Sequence, residues 1–537
     1  MNAYDGGEFS IATASSDSNT TETGDAPSVE EGLRSAAGKI ASSGEPSANH
    51  RPWTQQGVCS AGTGVLVSTA LCTPRSPQTP SGRTFYVATS GSDAWSGSSQ
   101  QPFASLQRAV DVALPGDTVV LRAGVHRVAQ SVRIVGKSGL ATAPITLSGE
   151  TGAILRASHS AVPGVWRGLI EIERAAHVIV RNIAVENSSF FGFRIRNSQN
   201  IELEGNRSRI SLGSAIYAEN SRDVVIIGND VSRFCDKNQF GADGRTGCQE
   251  GISLTRVDGF AVYGNRVHDA MQSPGVTSGG GEGIDAKQGS RNGIIAFNTV
   301  WNLVQLGIYV DAYSDGVSNI DVYGNQVRRT NAGIVVSAEA GGTASDIRIH
   351  DNLIHSVGTD GILISNYASK SRAEGEGIRE RIHIFNNTIA DAGVREAKLS
   401  YFSPSASTNP ASDYGSGIRI ASARVGDVQI LDNIVFGSKT SPIRVHQSAQ
   451  LTTYVRTNLQ WPPPSNRTND EYPGIAPINA DPLFVSAKDA DWQLQTGSPA
   501  IGVGTGFSDS SRVDAAGNAR PFGYVDLGAL AFSSTPF

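Results

Sequence analysis

From about residue 190 onward the chain keeps returning to one local pattern. A Gly-Ile pair is followed by an apolar residue two positions further on, with polar residues between and after. It reads "GISL" at Gly251, "GIDA" at Gly283, "GIYV" at Gly307, "GIVV" at Gly333, "GILI" at Gly361 and "GIRI" at Gly417, with "GFRI" at Gly192 and "AIYA" at Ala215 as variants. Such alternation predicts short, half-buried β-strands. A second motif falls between them, an Asn followed two residues later by Ile or Val. It occurs at Asn229, Asn265, Asn298, Asn325, Asn352, Asn387 and Asn433, with a weaker copy at Asn206. Successive Asn lie 23, 36, 33, 27, 27, 35 and 46 residues apart. One such step cannot bury its own apolar face, so the steps must stack as coils of a parallel β-helix. The Asn side chains are then expected to bond to one another along the axis. The Gly of Gly-Ile is expected to permit a tight entry into the strand. The longer steps predict loops at 234–249, 270–281, 366–380 and 393–415.

The stack has recognisable ends. Residues 1–82 are rich in Ser, Thr, Gly, Pro and Ala without a period, and read as a disordered or processed segment. Order is expected from a strand at Phe85–Thr89. A short amphipathic capping helix follows, with Leu106, Ala109, Val110 and Ala113 on one face. The β-helix is expected over 83–460, and residues 461–537 as strands and turns capping the last coil. The bulk numbers agree with an all-β repeat: 60 Gly and only 18% charged residues in 537.

Charge and cysteines narrow the function. A net charge of −6 offers no basic stripe in sequence for nucleic acid, and no apolar run reaches membrane-spanning length. Cys59 with Cys72, and Cys235 with Cys248, are each 13 positions apart, which suggests two local disulfides and an oxidising compartment. The N-terminus has no basic and apolar signal segment. A secreted or cell-surface protein is nevertheless expected.

Aligning the coils on Gly-Ile turns positions +1 and +3 inward and +2 and +4 outward. Reading up the stack, the outward pairs are Arg194/Arg196, Tyr217/Glu219, Ser253/Thr255, Asp285/Lys287, Tyr309/Asp311, Val335/Ser337 and Leu363/Ser365. Tyr313 and Glu339 follow two positions further on. Asp285 should lie under Tyr309 and Lys287 under Asp311, about 4.8 Å apart between coils and about 7 Å apart along a strand. Glu250 and Glu282 stand at the entry to their strands. His268 and Asp269 precede the Gly-rich loop that leads into this patch.

The N-terminal run "FYVATSGSDAWSG", "PFASLQRAV", "PGDTVVLRAGVHR" resembles the cap and first coil of pectate-lyase-like right-handed β-helix proteins. "DPLFV", "WQLQTGSPAIGVG" and "DLGAL" resemble the ending many of them carry. The resemblance covers roughly 83–533 and implies a right-handed helix. It does not choose among lyases, hydrolases, epimerases, tailspikes and adhesins.

The patch suits cleavage of a uronic-acid polymer by β-elimination. Calcium held by Glu282, Asp285 and Asp311 would neutralise the substrate carboxylate and ease removal of the adjacent proton. Lys287 is the candidate base, if its surroundings lower its pKa. Tyr309 would protonate the leaving oxygen or stack on a sugar. Arg194, Arg196, Glu219, His268, Tyr313 and Glu339 are candidate substrate-binding residues. The calcium-dependent lyases of the superfamily similarly use acidic ligands and a Lys or Arg base, but none of their full ligand sets maps onto this chain. Two rival enzyme readings and one non-enzyme reading stay open. Asp285 with Asp311, or Asp311 with Glu339, would serve as acid and base of a glycoside hydrolase. An epimerase would leave chain length unchanged. A carbohydrate-binding tailspike or adhesin would trimerise, whereas the enzyme is expected to be a monomer. The plain alternative is a surface ion-pair ladder at Asp285, Lys287 and Asp311.

Overall fold

The computed structural model describes residues 82–160, 162–164, 166–235, 249–270, 280–367, 375–394, 414–464, 470–505, 513–520 and 525–532. Its strands pair in parallel, coil upon coil, in one sheet of 22 strands and one of 12, apart from one antiparallel pair, Phe484–Ser486 with Asp491–Leu494. The fold is the parallel β-helix read from the repeat, and right-handed as the resemblance implied. The Gly-Ile register holds throughout. Ile216, Ile252, Ile284, Ile308, Ile334, Ile362, Ile418 and Ile443 pair one above another, and all are fully buried. A column of β-branched side chains of one shape packs densely and fits the pleat.

Gly precedes six of these Ile, with Ala215 and Pro442 before Ile216 and Ile443, and it serves a different purpose from the one expected. A Cβ on Gly283 would stand 2.5 Å from the Gly307 carbonyl oxygen, and one on Gly251 would stand 2.7 Å from the Gly283 carbonyl oxygen. Close approach of the next coil excludes a side chain there.

The Asn residues form a continuous ladder. Asn325 Oδ1 accepts from the Asn298 backbone N–H at 3.0 Å and from Asn298 Nδ2 at 2.9 Å. Asn325 Nδ2 donates to Asn352 Oδ1 at 2.9 Å and to the Ile295 carbonyl at 2.8 Å. The same pattern runs from Asn206 to a further member, Asn458, which accepts from Asn433. The motif missed Asn458 because Gln460 replaces the apolar residue two positions on.

The helix forms at Leu106–Val112, with the Ser105 side chain capping the Arg108 N–H. Leu106, Ala109, Val110 and Ala113 close the first coil. At the other end the chain does more than cap. Phe484, Trp492, Leu494 and Leu527 pack along the flank against Leu353, Ala390, Ile434 and Leu459, one from each of four coils. Arg520 binds Asp351 Oδ1 at 2.5 Å. All but the last residue of the expected segment 1–82 and most of the expected loops lie outside the described residues. So do Cys59, Cys72 and Cys248, and with them both expected pairings; Cys235 is buried. Among the described residues no helix is long and apolar enough to cross a membrane.

Asp351 belongs to a buried ionic group. His350 lies between Asp321 and Asp351, each at 2.8 Å, and its ring stacks between Tyr323 and Phe385. Burial alone would depress this imidazole, but the two carboxylates push it up to about 9. A folded pKa above the unfolded value of roughly 6.5 stabilises the fold fully below that value. The contribution is lost as pH rises through about 9. We expect it to amount to about 3 kcal/mol. Denaturation at pH 6.5 and at pH 9 checks this. An unchanged difference between the two in His350→Gln would refute it.

Candidate active site

The four residues of the patch meet as the repeat predicts. Asp285 pairs in register with Tyr309 and Lys287 with Asp311. One coil below, Ser253 pairs with Asp285 and Thr255 with Lys287. Strand alternation alone puts all of them on the outer face. They are not solvated, however: Asp285 is 2% exposed and Tyr309 and Asp311 are each 6% exposed. In the coils above, Val335, Leu363 and Ala421 join Tyr309, with Tyr367 packed against them, in an apolar cover.

Burial makes the charges consequential. Lys287 Nζ lies 3.1 Å from Asp285 Oδ2 and also donates to Glu250 Oε1. Burial works against its ammonium, but Asp285 and Glu250 hold it well above the usual amine range. The expected lowering of the Lys287 pKa is therefore reversed. Lys287 in turn keeps Glu250 below the usual carboxylate range, against the cost of burial. The other acids go upward. Burial, then Glu250 and Asp285, push Glu282 up to about 8. Burial and Glu250, opposed by Lys287, bring Asp285 to about 7. Burial, Glu339 and Asp285 raise Asp311 well above its ordinary value. The Tyr309 hydroxyl donates to Glu339 Oε1, and Asp311 Oδ1 accepts from the Tyr313 N–H at 2.9 Å. Tyr313 lies beyond the strand end with φ +44°, and its hydroxyl is buried without a hydrogen-bond partner among the described residues.

Several expected roles do not survive. Arg194 is buried and committed: it donates to the Trp166 carbonyl and to Glu219, each at 2.5 Å. Arg196 also lies 3.3 Å from Glu219, so these three form an ion-pair group below the patch rather than free sugar contacts. His268 belongs to the 12-stranded sheet, on another face of the solenoid. It lies between Asp230 and Asp269 and stacks on Trp301 at 4.1 Å. Proximity in sequence to the patch placed it wrongly, because His268 and Asp285 belong to different sheets.

The calcium ligands divide. Among the described residues no three His, Cys, Asp or Glu side chains gather into a metal-holding group. Asp311 stands in the Lys287 row, and the Lys287 ammonium already lies between Asp285 and Glu250. Glu282 Oε2 and Asp285 Oδ1 are nonetheless buried and without a hydrogen-bond partner among the described residues. Two orphaned carboxylate oxygens in one coil are the kind of donor a hard cation takes.

Two residues went unassigned in the sequence. Glu250 had a visible signal, since Glu stands directly before Gly-Ile in two successive coils, at Glu250 and Glu282. Arg379 had none. It is fully buried and hydrogen-bonded to Glu376 and Ser422, and it favours the ionised form of Glu339.

Comparisons with known proteins agree with the architecture. Residues 85–271 match the Pel9A-like right-handed β-helix region, and residues 246–378 match the right-handed β-helix region. The first match ends short of Asp285 and Lys287. The pectate lyase PEL9 of Emericella nidulans is 28% identical over 200 residues, 35% of this chain and 48% of that lyase. The chain thus spans about half the length of this relative. The crystal structure of pectate lyase Pel9A superposes with a TM-score of 0.49 at 15% identity, over 84% of this chain and 96% of that one. The structure of XylC with xylose gives 0.50 at 10% identity, over 83% and 98%. At such an identity the likeness to XylC speaks for the fold alone.

Proposed function

Because the chain belongs to the right-handed β-helix superfamily, we propose that the cluster at Asp285, Lys287, Tyr309 and Asp311 is the active site of a carbohydrate-active enzyme cleaving an acidic polysaccharide by β-elimination. The observation that carries this reading is Lys287, an amine enclosed by carboxylates on the outer face. Its proton is held by Asp285 and Glu250. Engaging those two carboxylates elsewhere would release it, and Lys287 would then take the proton beside the substrate's uronate carboxyl. The bond to the leaving oxygen breaks, a double bond forms in the sugar, and the leaving oxygen takes a proton. Tyr309, in register with Asp285, would supply that proton. Glu282 and Asp285 offer the two open carboxylate oxygens to a calcium ion, whose other ligands would come from substrate and water; when bound it would supply charge neutralisation at the substrate carboxylate. Secretion and a monomeric state are part of the same proposal.

One observation favours a second reading, glycoside hydrolysis. Asp285 and Glu282, at about 7 and about 8, keep protons near neutrality beside the ionised Glu250. A protonated carboxyl beside an ionised one is the pairing a hydrolase needs.

Absorbance of the unsaturated uronate product separates the two. Pectate, alginate and glycosaminoglycans are offered with calcium and with chelator. We expect a rise on at least one polymer, lost on chelation. New reducing ends without that rise would move the assignment to hydrolysis.

A further inference from the structure

The 12-stranded sheet carries charge of the opposite sign. Its outward rows run Arg127, Arg156, Glu186, Arg209, Ser232, His268, Trp301, Arg328 in one line and Arg207, Asp230, Arg266 in the other. Six guanidiniums stand among three carboxylates, Glu186, Asp230 and Asp269, in a chain whose net charge is −6. Arg127, Arg207 and Arg209 are exposed; Arg207 faces Asp230 in register and its charge helps to hold that carboxyl ionised. Trp301 organises the upper part. Arg266 and Arg328 lie over its ring at 5.3 and 5.5 Å, and His268 stacks on it. Cation–π contact fixes a guanidinium while leaving edge donors for a ligand.

We infer that this stripe is a second, non-catalytic binding face for an anionic polysaccharide strand lying along the solenoid axis. From Arg156 upward a basic side chain stands at every second coil, at Arg156, Arg209, His268 and Arg328, about 10 Å apart, which is close to the rise of two sugars in an extended chain. A strand of carboxylated sugars therefore meets a cation at alternate units without bending. Single-stranded nucleic acid fits less well, because it needs open aromatic faces for its bases. The Trp301 ring is already engaged by His268 and the two arginines. The inference needs no cleavage at Lys287, and its test reads binding rather than turnover.

Affinity electrophoresis of the full chain carrying Lys287→Arg is run in gels containing polygalacturonate or dextran, at low and high salt. We expect retardation by polygalacturonate alone, weakening with salt. Adding Arg207→Gln, Arg209→Gln and Arg328→Gln should weaken it about tenfold. The same three changes in the wild-type background should leave turnover of a short uronate oligosaccharide unchanged. Equal retardation of the triple variant would overturn the inference. So would equal retardation by dextran, or displacement by single-stranded DNA at the same charge concentration as polygalacturonate.

Discussion

Replacing Lys287 with Ala is expected to lower uronate elimination about a thousandfold, the scale of losing a positioned base. Taken alone, that result would not separate chemistry from folding. Lys287 is the cation for two buried acids, Glu250 and Asp285, and removing one partner of a buried pair costs about 3–5 kcal/mol. Part of that cost is relieved when the stranded carboxyls take up protons. Lys287→Arg separates the two roles. A guanidinium preserves the charge between Glu250 and Asp285, so the melting temperature should stay near that of the wild type. It does not surrender its proton near neutral pH, so elimination should still fail. If Lys287→Arg retains substantial activity, Lys287 is an ion-pair residue and not the base.

Asn325→Ala should destabilise the solenoid by about 2–4 kcal/mol, through buried polar groups left unpaired. The Asn298 N–H and the Ile295 carbonyl both lose their Asn325 partner. Neither faces water, so neither finds a substitute. The loss should be local at first, because each coil leans only on its neighbours. Hydrogen exchange should quicken in the coils bearing Asn298 and Asn352 before it quickens at Asn206. Protection unchanged at Asn298, together with an unchanged denaturation midpoint, would contradict the ladder's role.

The fold was legible because its constraints repeat. Gly-Ile marks where one backbone meets the next, and one alignment on it gives the register from Arg194 to Leu363 without a slip. A slip of one residue would have turned every apolar side chain outward. The patch was legible for the same reason, since Asp285, Lys287, Tyr309 and Asp311 follow from register alone. Its electrostatics were not. A strand period tells which face a residue occupies, not what folds over that face, so the burial of Asp285 and Tyr309 had no signature. The rise in the Lys287 pKa comes from Asp285 and also from Glu250, 37 residues earlier in the chain and outside the outward rows. His268 was misplaced because nearness along the chain says little in a solenoid, where adjoining strands belong to different faces.

Pairings between successive coils run parallel throughout, so the stack has a top and a bottom. A sugar polymer also has two different ends. Laid along the outer row in one sense, the proposed substrate would pass from the coil of Asp285 over the coils of Tyr309, Val335 and Leu363, a hydroxyl followed by two greasy steps. Turned round, it would pass over the coils of Ser253, Tyr217 and then the buried Arg194. The order of the coils alone would then distinguish its reducing from its non-reducing direction, with no separate device to orient the chain.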